Sequence, residues 1–125
     1  MAIGTPTSIG TASDLSSIGS DPLVITTTST AVVGDEIIVM ITGRGSRSWA
    51  SISDSAGNTY TSMGSDSSGS TNTDTKAQTY RAKVTAQLTS GGTITIGNSG
   101  ISAGGTLAEA VMVSGVTNAT DSTGS

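Results

Sequence analysis

The chain has 125 residues, a formal net charge of −4 and no Cys, His or Phe; one Trp and two Tyr are its whole aromatic complement. This composition excludes a disulfide framework, thiolate or imidazole metal sites, and catalysis by a Ser-His-Asp triad or a Cys-His pair. The five basic residues, Arg44, Arg47, Lys76, Arg81 and Lys83, are too few and too dispersed to make the basic face of a nucleic-acid binder, and the length is that of one domain around one core.

The N-terminal stretch "MAIGTPTSIGTASDLSS" has neither a basic n-region nor an apolar h-region, and no apolar run reaches the length of a membrane span. The expectation is a chain made in a host cytoplasm, without a signal peptide and with no membrane partner. Residues 1–20, rich in Gly, Ser and Thr, read as an extended arm that orders only on a partner. Residues 21–116 read as the folded domain, and 117–125 ("TNATDSTGS") as a flexible tail or linker.

Turn residues recur at intervals of roughly 8–15 residues, the spacing of short antiparallel strands. In chain order the strands fall at 5–11, with the faintest signal, then 22–30, 35–43, 48–54, 58–63, 75–85, 92–97 and 105–114. Gly34-Asp35 is the turn before the most apolar of them. That strand is apolar from Ile37 to Ile41, so it is expected to be central, with neighbours on both sides and both faces covered.

In "SISDSAGNTYTSM" (51–63), Ser55-Ala56-Gly57 read as a hairpin loop in which Asp54 accepts from a turn amide and Gly57 adopts a left-handed conformation. The register that follows sets Asp54 opposite Asn58, Ile52 opposite Tyr60 and Trp49 opposite Met63. Asp54, Gly57 and Asn58 are thus hairpin-turn residues. The polar run "GSDSSGSTNTD" (64–74) reads as a surface loop. Its Asp66, Asn72 and Asp74 lack the ligand order of an EF-hand, so no metal is expected there.

Within 75–85, Gln78, Tyr80, Ala82 and Val84 share one face and Thr79, Arg81 and Lys83 the other. Ile94 and Ile96 point inward between Thr93 and Thr95. The segment "TLAEAVMV" (106–113) contains helix formers, but its Gly flank and Val-rich end favour a strand. The fold class is therefore all-β, an antiparallel β-sandwich of jelly-roll or immunoglobulin-like type with about 7–8 strands.

Carboxylates are the remaining candidates for chemistry. Asp54, Asp66, Asp74 and Glu109 would need a cleft, and usually aromatic platforms, to work as a glycosidase pair. The expectation is no enzyme and no cofactor. In "GRGSRSWAS" (43–51), Trp49 flanked by Arg44 and Arg47 is the candidate contact patch, for protein or glycan. The alternative is a Trp covering the rim of a sandwich that has little else to cover it.

Five segments in order carry a resemblance. They are "GD" (34–35) before "IIVMI" (37–41), "SISDSAGNTYT" (51–61), "AQTYRAKV" (77–84), "GGTITI" (91–96) and a closing "SGV" (114–116). The order resembles the β-sandwich modules of phage virion proteins and bacterial surface proteins, which carry a "tDsaGNtYt" hairpin, a "Y-x-A-K" strand and a last strand ending "E-Y-S-G-V". The likeness covers roughly 32–116. It departs where Met112 and Val113 stand in place of an acidic and an aromatic residue. It implies a structural virion protein of a bacteriophage, a capsid decoration or tail/fibre subunit whose partners are other virion proteins and copies of itself as a homo-oligomer. The alternative is an adhesin-like or carbohydrate-binding module that recognises a host-surface glycan.

Overall fold

β-Branched residues alternate with Ser and Thr along most of the chain, so each such segment can bury one face and offer hydroxyls to water on the other. The structure is a computed structural model in which residues 4–14, 22–44, 48–67, 75–99 and 105–115 are described. They form β1 (Thr7–Asp14), β2 (Leu23–Thr26), β3 (Glu36–Arg44), β4 (Ser48–Asp54), β5 (Thr61–Ser67), β6 (Thr75–Lys83), β7 (Thr93–Ser99) and β8 (Thr106–Val113), and no helix. The segment 106–113 is a strand, as its Val-rich end favours.

A five-stranded sheet runs β1-β8-β3-β6-β5 and a three-stranded sheet β2-β7-β4. Every pairing is antiparallel. β1 mates with β8, β2 with β7 and β3 with β6, the order of a ribbon rolled up on itself, which is the jelly-roll alternative of the two sandwich types. β5 departs from a simple roll. It extends the larger sheet beside β6 instead of pairing with β4.

The core lies between the sheets. Ile37, Val39 and Ile41 of β3, with Tyr80, Ala82, Ala108 and Ala110 from its two neighbours, meet Leu23 and Ile25 of β2 and Ile94 and Ile96 of β7. Nine Ile, Leu and Val side chains are less than 2% exposed, each worth about 1.5–3 kcal/mol of burial. At one end a two-way bridge seals the roll: Ala31 N donates to Leu88 O (2.9 Å) and Leu88 N to Ala31 O (3.0 Å).

Three expectations change. Residues 7–14 are not part of a free arm: they form an edge strand paired with β8 over Thr7–Met112 to Asp14–Thr106. The ladder shifts register between Ser8 and Gly10, and Ile9, the extra residue, turns inward to become fully buried. One isoleucine in a Gly/Ser/Thr context produces no alternation, so this strand's share of the core is invisible in the pattern.

The hairpin of β4 and β5 does not form either. The turn is present, but β4 pairs with β7, placing Ile52 opposite Ile96 and Asp54 opposite Ile94, while β5 pairs with β6, placing Thr61 opposite Arg81. An isoleucine of β7 offers Ile52 a better apolar partner than Tyr60 would, and the turn becomes a corner between the two sheets.

Lastly, β3 is central, flanked by β6 and β8, but only one of its faces is covered. Ile38 is half-buried and Met40 is 40% exposed on the outward side.

Candidate functional site

The corner at Asp54 is a dense network of hydrogen bonds. Asp54 Oδ1 accepts from the amides of Ala56 (2.9 Å), Gly57 (2.8 Å) and Asn58 (3.1 Å). Its Oδ2 accepts from Asn58 Nδ2 (3.0 Å) and from the Tyr60 hydroxyl (2.9 Å). Gly57 supplies the left-handed turn residue, at φ 88°. Asn58, 5% exposed, reaches across to the segment after β6: Thr85 N and Ala86 N both donate to its Oδ1 at 2.9 Å, and its Nδ2 donates to Ala86 O at 2.9 Å.

This arrangement is a structural lock. With five donors on its two oxygens, Asp54 has no lone pair left in a position to act on a substrate. Burial, then the neighbouring Asp54 charge and the hydrogen bond to it, push the Tyr60 hydroxyl far above its ordinary range. The phenol is thereby kept a donor. Tyr80, shielded in the core, is also raised by burial; Gln78 Nε2 donates to its hydroxyl at 2.7 Å.

The outward face of the five-stranded sheet has a different character. Register places its side chains in rows across the strands: Thr11, Glu109, Met40 and Thr79 in one, Ser13, Leu107 and Thr42 in the next, Ser8, Val111, Ile38 and Arg81 on the other side. β8 points its small residues, Ala108 and Ala110, into the core and its larger ones, Leu107 and Val111, outward. Leu107 is 51% exposed. Thr11, Ser13, Met40, Thr42, Leu107 and Glu109 line a depression of about 520 Å³.

Further along the same face, Glu36, Thr59, Thr61, Arg81, Lys83 and Thr85 line a smaller polar hollow of about 260 Å³. Glu36 is 5% exposed there, directly across from Lys83, and its buried Oε2 accepts no hydrogen bond.

Of the residues expected from sequence, Asp54, Gly57 and Asn58 come together in the corner. Arg44 closes β3 and Trp49 lies within β4, so the backbone puts them on different sheets. Arg47 and the side chains of Arg44 and Trp49 lie outside the described residues, as do Asn72 and Asp74. Among the described residues no three of Asp and Glu cluster as metal ligands would.

Leu107, Met40, Ile38 and Val111 were not singled out in the sequence. Their signal was present in "IIVMI" and "TLAEAVMV", whose apolar residues are too continuous for strands with one wet face. The structure defines a jelly-roll β-sandwich with a locked corner and one apolar outer sheet face. The chain matches no protein-family model, no curated protein and no solved structure.

Proposed function

We propose that this chain is a structural protein of a bacteriophage virion, a capsid-decoration or tail/fibre subunit that acts through protein–protein contacts. The observation that carries the reading is the uncovered side of β3 and β8. A sheet face meant for water alternates to polar residues, whereas this one presents Met40 and Leu107 at 40% and 51% exposure beside Ile38 and Val111. Contact with another protein removes that surface from water. The order of motifs from Gly34 to Val116, which resembles virion and surface modules, supports the same reading, and the absence of His and Cys together with the occupied oxygens of Asp54 favour a non-catalytic role.

Recognition of a host-surface glycan is the competing reading, and the polar hollow around Glu36 is its best support. Among the described residues no aromatic side chain lines that hollow, and sugar sites usually stack the ring on one. The test is mass spectrometry of purified particles from cells that carry the coding sequence, with native chain or with Met40→Glu/Leu107→Glu. The proposal expects the native chain in particles at a fixed copy number and the folded double variant missing from them. A native chain absent from particles contradicts it.

A further inference from the structure

The outward face that needs a partner also carries charge, and the charge is arranged in columns. On β8 the outward ionisable residue is Glu109; on β6 the outward ones are Arg81 and Lys83; β3 between them contributes Ile38 and Met40 at its middle and has Glu36 and Arg44 at its ends, and β5 sets Asp66 opposite Ala77 at the sheet edge. Register fixes the spacing. Glu109 shares a row with Met40 and Thr79, and Arg81 sits one row away beside Ile38. Around its centre the face thus carries a carboxylate on the β8 side, a guanidinium on the β6 side and the apolar Ile38 and Met40 between them, while Lys83 lies opposite the buried Glu36 of its own chain.

Glu109 and Arg81 lie diagonally across β3, on opposite sides of it and one row apart. A two-fold axis running close to β3 exchanges left and right, so the β8 flank of one copy faces the β6 flank of the other and Glu109 lies over Thr79, one row from Arg81 and within reach of its long side chain. A two-fold axis across the strands would instead set β8 over β8 and β6 over β6, without bringing the two flanks together. We propose that the outer face of the five-stranded sheet is an isologous interface between two copies of this chain, with Met40 and Ile38 packed about the axis and Glu109 of each copy paired with Arg81 of the other.

The sheets then stack face to face as in the interior of a sandwich, about 10 Å apart. Leu107 and Val111 flank the central strip. Arg81 is held by an interaction within its own chain, and a guanidinium has five donors, enough to serve a second acceptor. This inference rests on the reading that protein covers this face, and it names the first partner as another copy of the chain.

The experiment is sedimentation equilibrium over a wide concentration range on the native chain, Glu109→Arg, Arg81→Glu and the double exchange. Circular dichroism verifies that each is folded, and Glu109→Gln and Arg81→Gln stand in for a charge reversal that fails to fold. The native chain is expected to dimerise. Each single reversal should weaken the dimer by about tenfold or more, and the double exchange should restore it to within a few-fold of native.

A native monomer at every concentration, a dimer indifferent to the single reversals, or a double exchange no tighter than the singles overturns the proposal. If the native chain is monomeric yet enters particles through Met40 and Leu107, only the self-pairing fails and another virion protein covers the face. If it is monomeric and absent from particles, both readings fail.

Discussion

Asp54 and Asn58 hold each other and, between them, hold the two sheets in place: Asn58 Nδ2 donates to Asp54 Oδ2 at 3.0 Å while Asn58 Oδ1 accepts from the amides of Thr85 and Ala86 at 2.9 Å. The first contact closes the turn. The second fastens it to the segment that leaves β6. Ser55 N still donates to Thr93 O of β7 at 2.9 Å, so within a few residues the chain passes from one sheet to the other.

Asn58→Ala strands the two amides of Thr85 and Ala86 and removes a donor from Asp54, and should cost roughly 2–4 kcal/mol in denaturant unfolding. Asp54→Ala should cost a similar amount. Because both act through one network, the double variant should lose clearly less than the sum of the singles. Additive losses would show that the corner is not a unit.

The two tyrosines give the corner and the core a pH signature. Tyr60 and Tyr80 both have hydroxyls raised above the usual value of 10.0, Tyr60 by burial first and Asp54 second, Tyr80 by burial. A folded-state value above the unfolded one stabilises the fold fully below about pH 10 and progressively less as the pH climbs above it. The Tyr60 phenolate should therefore appear only together with loss of the circular dichroism signal, while that of Tyr80 should appear above the usual range. Titration of both tyrosines near pH 10 in the folded protein would contradict the burial of the Tyr60 hydroxyl against Asp54.

β1 is structural. Ile9→Ala, at a fully buried site, should lose about 2–5 kcal/mol. At Gly10 an added Cβ would stand 2.6 Å from Ile25 Cγ2 and 2.8 Å from Thr26 O, so Gly10→Ala must displace backbone and should also be destabilising, by about 1–3 kcal/mol. Removal of residues 1–14 should abolish cooperative thermal unfolding. Retained cooperativity would return this segment to the role of a detachable arm.

The strands were legible because Ile, Val and Thr alternate between turn signals. Thus β3, β4, β6, β7 and β8 fall within a residue or two of where the pattern puts them. Pairing was less legible. The local chemistry of Asp54 and Gly57 specifies a turn equally well whether the next strand folds back or crosses over, and the deciding bonds, from Asn58 to Thr85 and Ala86, join residues 27 and 28 positions apart. The contact face was hidden by a sound inference. A continuous apolar strand does ask for cover on both sides; one side of β3 is covered by the chain itself, and the other by a partner in the proposed account.

A face used for contact and not for folding can be changed without unfolding the protein. Met40→Ser and Leu107→Ser should each shift the thermal midpoint little, within about 0.5 kcal/mol in stability, while reducing assembly. Large losses of stability in the isolated chain would reassign these side chains to the fold.

The most direct measurement is peroxide oxidation of the methionines, free and assembled, read by mass spectrometry. Met40 lies on the proposed contact face at 40% exposure and Met63 at the β5 edge at 55% exposure, so each chain carries its own control. The account predicts that both oxidise in the dilute free chain and that assembly protects Met40 while Met63 stays reactive. Equal oxidation of both in the assembled protein would contradict the claim that this sheet face is where the chain meets its partners.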